Sequence, residues 1–349
     1  MEQIKVGITQ GDINGISYEV IIKTLMDSRI NELCVPIVYG SAKVAAYHRK
    51  ALNIQNFSLN IIRDADKAHL KKSNIINTQD DNIRVELGKS SPEAGKAALD
   101  SLEQAVADLK QGKIDVLVTA PINKDNIQSE TFDFPGHTEY LTQHFGAEND
   151  TLMFMVSDLM KVGVVTGHIP LKKVPEVLSQ ELILRKLRVM DKTLLQDFRI
   201  RKPRIAVLGL NPHASDSGLL GNEENDIIIP AIKRAKEENI LAFGPYPADG
   251  FFGSSSIKKF DGILAMYHDQ GLAPFKAISF DEGVNYTAGL DIVRTSPDHG
   301  TAYDLAGKDE ASPTSFRNAL FLALDIYRKR KEYQELSSNP LASQDKGED

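Results

Sequence analysis

The sequence contains a single cysteine, Cys34, among 349 residues. One cysteine excludes an intramolecular disulfide bond, which needs two thiols. A lone thiol is typical of proteins that work in the reducing cytosol, where disulfides are rare. We therefore expect Cys34 to be buried as a small hydrophobic residue, and we expect the protein to be cytoplasmic.

The chain also lacks an excess of positive charge and any long apolar run. Its 41 lysine and arginine residues and 48 aspartate and glutamate residues give a formal net charge of −7. This balance provides no basic field for the electrostatic binding of nucleic acid. No apolar run approaches the roughly 20 residues that span a bilayer, and the first residues lead into a predicted strand without the apolar core of a signal peptide. We therefore expect neither nucleic acid nor a membrane among the partners.

Two glycine-rich phosphate-binding motifs are missing as well. The chain has neither the Gly-x-Gly-x-x-Gly fingerprint of Rossmann domains nor the P-loop of nucleoside triphosphatases. Its first loop, residues 10–15, follows a strand and precedes a helix, but its glycines do not have the fingerprint spacing. A Rossmann-type cofactor site is therefore not expected.

What the sequence does contain is an alternation of short apolar runs and amphipathic segments. Apolar residues make up 42% of the chain and charged residues 26%, which is ordinary for a globular protein with a sizeable core. The alternation predicts an α/β protein, and the length favours two domains. The predicted strands cover residues 5–9, 34–39, 115–121, 152–156, 161–166, 204–208, 263–266 and 292–296. The predicted helices include residues 42–52, 92–110, 174–198, 225–238 and 313–333.

Three histidines, His168, His213 and His268, each follow a predicted strand. Parallel strands of one sheet end at a common edge, so these side chains can converge there. Three neutral imidazoles with one open position suit Zn²⁺ or a similar divalent ion in a catalytic site. The alternative is that each histidine belongs to an ordinary polar turn, because the chain has no short ligand motif such as His-x-x-x-His.

Two carboxylates, Asp249 and Asp269, accompany these histidines and are candidate catalytic residues. A carboxylate beside a ligand imidazole can orient the ring or act as a proton relay. Each aspartate can equally be a turn or capping residue.

A second set of residues has the chemistry needed to hold a phosphate or carboxylate group. His137 and Thr138 stand at the predicted start of a helix, where free N–H groups and the helix dipole favour an anion. Lys276, Asn285 and Arg294 add a point charge, an amide and a planar guanidinium. The alternative is that the charged residues lie on the surface and that Thr138 is only a helix cap.

Four long segments of this sequence carry a resemblance to a known family. They resemble the signature segments of 4-hydroxythreonine-4-phosphate dehydrogenase, the PdxA family of vitamin B6 biosynthesis, and they occur in the family's order. The segments are Pro135-Gly136-His137-Thr138-Glu139, Gly209-Leu210-Asn211-Pro212-His213-Ala214, Ala265-Met266-Tyr267-His268-Asp269-Gln270-Gly271 and Val293-Arg294-Thr295-Ser296 with Asp298-His299-Gly300-Thr301-Ala302.

The resemblance implies a fold like that of isocitrate and isopropylmalate dehydrogenases, with two α/β/α domains and a central cleft. We expect residues 1–128 with 285–336 to form the first domain. Residues 129–284 would form the second domain, with the metal site and the dimer contacts. The tail, residues 337–349, is polar and is expected to be disordered.

The resemblance also implies roles for the candidate residues. The three histidines named above fall where the family binds its divalent metal (Zn, Mg or Co), in a site shared between the two subunits of a homodimer. The expected substrate-binding residues are His137, Thr138, Lys276, Asn285 and Arg294, and Lys276 is also an expected catalytic residue. The loop formed by His299, Gly300, Thr301 and Ala302 is similar to the adenine-side loop of the isocitrate dehydrogenase relatives, so it is expected to contact NAD, or NADP.

The implied reaction is the NAD-dependent oxidative decarboxylation of 4-phosphooxy-L-threonine to 3-amino-2-oxopropyl phosphate. One alternative is a dehydrogenase of the same fold that acts on D-erythronate or D-threonate 4-phosphate. The other is a metal-dependent phosphohydrolase or a phospho-ligand binder, for which the histidines and the basic residues would suffice.

Overall fold

The computed structural model describes residues 3–79, 83–129, 132–146, 151–279 and 281–338. Within these ranges twelve strands form one mixed sheet. The strands are β1 Lys5–Thr9, β2 Val35–Gly40, β3 Asn60–Ile62, β4 Asn74–Asn77, β5 Val116–Thr119, β6 Leu152–Val156, β7 Lys161–Thr166, β8 Arg204–Leu208, β9 Leu241–Tyr246, β10 Gly262–Tyr267, β11 Val284–Ala288 and β12 Arg294–Pro297. Their order across the sheet is β3-β4-β2-β1-β5-β12-β11-β6-β7-β10-β8-β9.

The helices connect these strands, as the predicted α/β alternation requires. They are α1 Ser17–Leu25, α2 Ile30–Leu33, α3 Ala42–Ala51, α4 Pro92–Lys110, α5 His137–Phe145, α6 Val174–Val177, α7 Gln180–Gln196, α8 Ile229–Glu237, α9 Ala248–Phe252, α10 His268–Ser279 and α11 Thr314–Ser337. The bounds of α4 agree with the prediction for residues 92–110. Ser91 caps this helix by accepting a hydrogen bond from the Ala94 N–H at 3.2 Å, and Pro92 fills the first turn, where an N–H is not needed.

The sheet consists of two parallel blocks that run in opposite directions. Strands β3, β4, β2, β1, β5 and β12 are parallel to one another, and so are β7, β10, β8 and β9. Between the blocks stand β11 and β6, and the pairings β12 to β11, β11 to β6 and β6 to β7 are all antiparallel. Three reversals invert the chain direction, so the carboxyl ends of the two blocks lie at opposite edges of the sheet.

Both faces of the sheet are covered by helices, as continuous apolar strands require. In β10, for example, Leu264 and Met266 join one hydrophobic cluster, which also contains residues of α1, α7 and α11. The intervening residues Ile263 and Ala265 join a different cluster with α10. On this second face, β2 and β5 pack against α4 and α5 in a third cluster.

The second face therefore carries two separate hydrophobic clusters, with a stretch of sheet between them. There the strands present polar side chains to this face: Asn285 and Thr287 of β11 alternate with Val284 and Tyr286, which belong to the cluster on the opposite face. We call this polar stretch of the second face, between α5 and α10, the cleft.

Some elements differ from the sequence prediction. Residues 245–253 are rich in glycine and proline, which predicts a loop, but strand β9 and helix α9 occupy most of them, and β4 and β11 were not among the predicted strands. β9 is a partly exposed edge strand and contains Gly244 and Pro245, so it lacks the apolar run that identified the other strands. Such residues are tolerated at a sheet edge, because the outer side of an edge strand needs no hydrogen-bond partners.

After His268 the sequence predicts a loop, because Gly271 is typical of a break in regular structure, but residues 268–279 form α10, with Pro274 inside the helix. A β-carbon at Gly271 would lie 2.9 Å from Val162 Cγ1 and 3.1 Å from Ala265 Cβ. The glycine is therefore required by the close packing of α10 on the sheet, and Lys276 lies on a helix rather than on a loop.

Cys34 is fully buried, as predicted, and burial raises the pKa of its thiol to about 12. No helix in the described part of the chain has both the length and the apolar character needed to cross a bilayer. Helix α11 extends to Ser337, and the rest of the predicted disordered tail, from residue 339 onward, lies outside the described residues.

One buried histidine links the fold to pH. His48 in α3 stacks on Tyr18 with ring centroids 5.3 Å apart, and its Nε2 lies 2.7 Å from the carbonyl oxygen of Ile13. Burial lowers the pKa of His48 to about 4. The unfolded chain, with an ordinary histidine pKa of about 6.5, binds this proton more readily.

We therefore expect the protein to lose stability as the pH falls from 6.5 to 4, because protonation of His48 favours the unfolded state. The loss attributable to this residue should be about 2 to 3 kcal/mol. Urea unfolding between pH 7 and 4.5 measures it, with His48→Gln as the matched variant that cannot titrate. The carboxylates are the same in the wild type and in His48→Gln, so they contribute equally to the pH dependence of the free energy of unfolding. An identical pH dependence in the two proteins would contradict the prediction.

Candidate active site

The three candidate metal-binding histidines follow three adjacent parallel strands. His168 stands two residues after β7, His268 begins α10 directly after β10, and His213 stands in a tight turn after β8. Since the order is β7-β10-β8, all three lie at the carboxyl edge of the second parallel block. This is the edge at which ligands bind in α/β proteins.

Two of the three histidines lie close together. The rings of His168 and His268 have centroids 5.6 Å apart. His213 belongs to the turn Pro212–Gly218, in which six consecutive residues, 213–218, have positive φ, and it makes no ring contact with the other two. Among the described residues, no group of three His, Cys, Asp or Glu side chains is close enough to hold a metal ion. One chain therefore assembles only part of the predicted ligand set.

Each of the two adjacent imidazoles has a carboxylate beside its Nδ1 atom. The Nδ1 of His268 lies 2.6 Å from Asp269 Oδ1, and the Nδ1 of His168 lies 3.6 Å from Glu139 Oε1. In both cases Nε2 remains for another partner. A carboxylate on one ring nitrogen and a free second nitrogen are characteristic of metal-bound histidines, so the donors fit a divalent ion of the zinc type.

The other candidate carboxylate, Asp249, is exposed in the short helix α9. This helix packs against the turn that carries His213. Asp269 therefore contacts the candidate ligand His268. The helix of Asp249 lies next to the turn that contains another candidate ligand, His213.

Arg294 is a buried cation in the cleft. Its side chain is only 3% exposed. The guanidinium donates hydrogen bonds to Thr119 Oγ1, at 3.1 Å from Nε and 2.6 Å from Nη2, and to Thr287 Oγ1 at 3.2 Å from Nη1. Burial lowers its pKa to about 10, which still leaves it charged at neutral pH. No carboxylate of the described residues forms an ion pair with it, so its charge is available to an anionic ligand.

The N-terminus of α5 faces the same region. Its N-cap is Gly136, and no side chain caps the helix, so Thr138 is not the cap. His137 is 9% exposed, and its buried Nε2 has no hydrogen-bond partner. Burial holds the pKa of His137 well below its usual range, and the charges of Arg294 and Lys124 lower it further. The ring is therefore neutral and can contact a ligand at Nε2.

Asn285 and Lys276 complete the predicted substrate-binding set. Asn285 lies on β11, and its buried Oδ1 also lacks a hydrogen-bond partner. Lys276 on α10 donates a hydrogen bond to the carbonyl oxygen of Asp298 at 3.1 Å and pairs with Asp298 Oδ1 at 3.0 Å. Burial raises the pKa of Asp298, and the Lys276 ammonium opposes that shift. Lys276 is therefore held beside Asp298, the residue that precedes the predicted cofactor loop.

The predicted cofactor loop, His299 to Ala302, lies against the first loop of the chain. The carbonyl oxygen of Thr301 accepts a hydrogen bond from the Ile16 N–H at 3.0 Å. A β-carbon at Gly15 would stand 2.5 Å from that oxygen, so only glycine permits this approach. His299 has a buried Nε2 without a hydrogen-bond partner, while nothing lies within 4 Å of a β-carbon built on Gly300. The loop is therefore held against the first loop of the chain at Thr301, whereas space remains beside Gly300.

Sequence reasoning missed two residues of this region, Glu139 and Asp298. Both stand inside the motif segments, next to residues that were singled out. The available signal was an acidic residue within two positions of a histidine at a loop or helix start, but that pattern is equally common in ordinary caps. Their contacts with His168 and Lys276 depend on distant parts of the chain.

A cavity of about 1290 Å³ opens elsewhere, between α7 and α11. It is lined by Arg185, Lys192 and Arg330, among others, and by none of the predicted site residues. Arg330 is already paired with Asp197 at 2.6 Å. We therefore place the candidate site in the cleft, where unpartnered polar atoms and the histidine pair occur, and not in this cavity.

Comparison with known proteins identifies relatives over nearly the whole chain. A 4-hydroxythreonine-4-phosphate dehydrogenase from Bacteroides thetaiotaomicron is 56% identical over 343 residues, which is 98% of this chain and 94% of that protein. A protein from Cutibacterium acnes named putative D-threonate 4-phosphate dehydrogenase is 37% identical and covers 92% of this chain and 93% of its own.

Solved structures give the same result for the fold. The crystal structure of 4-hydroxythreonine-4-phosphate dehydrogenase from Klebsiella pneumoniae matches with a TM-score of 0.81 and 33% identity, covering 93% of this chain and 98% of that one. Isocitrate dehydrogenase from Methylococcus capsulatus matches at a TM-score of 0.51 and 13% identity, over 96% and 89% of the two chains. The predicted isocitrate dehydrogenase-like fold is therefore confirmed.

The family model described as pyridoxal phosphate biosynthetic protein PdxA matches residues 32–323. The match runs from β2 into the first half of α11 and includes every candidate site residue. The chain therefore belongs to the PdxA family and is an oxidoreductase.

Proposed function

We propose that the protein catalyses the NAD-dependent oxidative decarboxylation of 4-phosphooxy-L-threonine to 3-amino-2-oxopropyl phosphate, a step toward pyridoxal phosphate. The observation that carries the proposal is the composition of the cleft. It combines the buried cation Arg294, unpartnered polar atoms on His137 and Asn285, and the imidazole pair of His168 and His268. The name of the relative with 56% identity supports the same substrate.

The anionic substrate groups would be held by residues that need a partner. The guanidinium of Arg294 is fixed by two threonine hydroxyls and has no carboxylate paired with it, so its orientation is set before a ligand arrives. The uncapped first turn of α5 adds N–H groups and the positive end of a helix dipole. Together with Thr138 and Asn285, these groups would orient a phosphate or a carboxylate.

His168, His213 and His268 would hold a divalent ion, with ligands drawn from two copies of the chain. Such an ion, when bound, supplies Lewis acidity that lowers the pKa of a coordinated hydroxyl group. Asp269, at 2.6 Å from Nδ1 of His268, would fix that ring so that Nε2 faces the ion.

In the reaction, the C3–H bond of the substrate breaks and its hydride passes to NAD⁺, while the C3 hydroxyl gives up its proton. The resulting β-keto acid then loses CO₂. Lys276 would handle a proton or stabilise developing negative charge. Its ion pair with Asp298 holds the ammonium next to the loop of His299.

The nicotinamide cofactor would contact that loop, residues 299–302. The unpartnered Nε2 of His299 and the open space beside Gly300 support this assignment. NAD is proposed, as in the resemblance, with NADP as the alternative, and the assay described below, repeated with NADP⁺, compares the two.

The proposal includes a homodimer in the cytoplasm. Exposed apolar side chains flank two of the candidate ligands: Ile169 and Leu171 follow His168, and Leu219 and Leu220 lie beyond His213. Burial of these side chains against a second copy would place another set of histidines beside the site. The domain boundaries, 1–128 with 285–336 and 129–284, stay a prediction.

An NADH-formation assay tests the proposal. The purified protein, supplied with Zn²⁺, Mg²⁺ or Co²⁺, should reduce NAD⁺ with 4-phosphooxy-L-threonine, and kcat/KM should exceed the values for D-erythronate and D-threonate 4-phosphate. The absence of NADH formation with all three compounds would contradict the dehydrogenase proposal.

The main alternative is D-threonate 4-phosphate as the substrate, which the name of the Cutibacterium acnes relative favours. The cleft residues hold phosphate, carboxylate and hydroxyl groups, which the competing substrates share, so the assay decides between them. Release of inorganic phosphate without NADH, or the absence of NAD binding by calorimetry, would instead favour a phosphohydrolase or a phospho-ligand binder.

A further inference from the structure

Glu139 connects the two sides of the cleft. It lies in the first turn of α5, which packs with α4 in one hydrophobic cluster of the second face. Its Oε1 lies 3.6 Å from Nδ1 of His168, which follows β7, and β7 packs with α10 in the other cluster. The carboxylate of Glu139 therefore links α5, which carries the anion-binding residues His137 and Thr138, to His168 at the candidate metal-binding edge of the sheet.

The same carboxylate lies among the cations of the anion site. Its Oε2 and the Cε atom of Lys124 both lie beside Gly136, at 3.6 Å and 3.7 Å from the position that a β-carbon there would take. The negative charge of Glu139 also acts on the buried guanidinium of Arg294. A glutamate carboxylate has an ordinary pKa of about 4.3, so Glu139 contributes a negative charge at neutral pH.

We propose that Glu139 is a positioning residue that orients His168 for metal binding and tunes the charge of the neighbouring anion site. Its carboxylate on the Nδ1 side fixes the ring and directs Nε2 toward the ion, as a carboxylate does for other ligating histidines. This inference rests on the proposed metal site. Glu139 is not among the metal-binding or substrate-binding residues that the resemblance implies, although it belongs to the motif segment at the start of α5.

The two effects of Glu139 have opposite signs, which gives the proposal a specific signature. Loss of the carboxylate removes the partner of His168, so metal binding weakens. The same loss removes a negative charge that repels an incoming phosphate near Lys124 and Arg294, so phosphate binding stays equal or becomes tighter. A residue with a merely structural role would weaken both interactions when it is changed.

The test uses Glu139→Gln, which keeps the size of the side chain and removes its charge. Isothermal titration calorimetry measures the binding of Co²⁺ to metal-free protein and, separately, of inorganic phosphate. We expect the affinity for Co²⁺ to fall by about 10- to 100-fold, as for other carboxylates behind metal ligands. The affinity for phosphate should not fall. Glu237→Gln, an exposed change of the same charge on α8, is the control and should leave both affinities unchanged.

A second variant, Glu139→Asp, retains the charge on a shorter side chain and should restore part of the lost affinity for Co²⁺. Equal Co²⁺ binding by Glu139→Gln and the wild type, or a parallel loss of phosphate binding, would overturn the inference while leaving the proposed metal site intact. A wild-type protein that binds no Co²⁺ would overturn the proposed metal site and this inference with it.

Discussion

Removal of divalent metal should abolish NADH formation and leave the fold intact. The three histidines stand at the edge of a sheet whose strands are buried by hydrophobic packing, so the scaffold does not depend on the ion. The proposed reaction is expected to depend on it, because deprotonation of the C3 hydroxyl at neutral pH is assisted by a Lewis acid. Protein treated with a chelator and checked by elemental analysis should have no turnover, a native circular dichroism spectrum with a lower thermal unfolding midpoint because a ligand of the folded state has been removed, and restored turnover after Co²⁺ or Zn²⁺ is added.

His268→Ala and His213→Ala should each be inactive for the same reason, and their mixture tests the sharing of the site. If His213 and His268 of one site come from different subunits, exchange of subunits produces heterodimers with one intact and one doubly altered site. The mixture should then recover about a quarter of the wild-type activity, because half of the dimers are heterodimers and each has one working site. Full activity in verified metal-free protein would contradict the metal mechanism, whereas an inactive mixture would contradict a shared site.

Replacement of Lys276 by alanine should lower kcat by about 10²- to 10⁴-fold, the usual range for the loss of a group that transfers a proton. The ammonium is held at 3.0 Å from Asp298 Oδ1, at the junction of α10 and the predicted cofactor loop. KM for the phosphorylated substrate should change less than kcat if the residue acts mainly in the transition state. Steady-state kinetics with NAD⁺ saturating separates the two parameters.

Lys276→Arg is the matched control, since it keeps the positive charge but cannot give up a proton at neutral pH. A kcat near the wild-type value in the arginine variant would mean that the charge alone is needed. Low kcat in both variants, with normal unfolding midpoints, would support proton transfer. Turnover of the alanine variant close to that of the wild type would remove Lys276 from the mechanism.

Most of the secondary structure was predictable from the sequence. The strand at 5–9 and the helix at 92–110 were identified because apolar periodicity, a serine N-cap and a proline in the first turn all agree there. Prediction failed where sequence and tertiary structure conflict. Gly271 and Pro274 indicate a loop, yet α10 continues through them because close packing on β7 and β10 requires glycine and compensates for the lost hydrogen bond.

The candidate site was predictable in its residue types and less so in its contacts. Strand ends identified His168 and His268, because side chains there lie at a ligand-binding edge of any parallel sheet. The position of Glu139 beside His168 and of Asp298 beside Lys276 could not be found in this way. Both pairs join segments that are separated by more than twenty residues or by the cleft, so no local pattern encodes them.

The sequence by itself determined the fold class, the absence of an intramolecular disulfide and the family, and it supplied the candidate site residues, since each of these follows from periodicity, composition or long motif strings. Only the tertiary structure decided the reversal of the second parallel block, the polar cleft between two hydrophobic clusters, and the buried, unpaired state of Arg294. The physical reason is that burial, charge pairing and chain direction in a mixed sheet depend on contacts between distant segments, which compete for the same space.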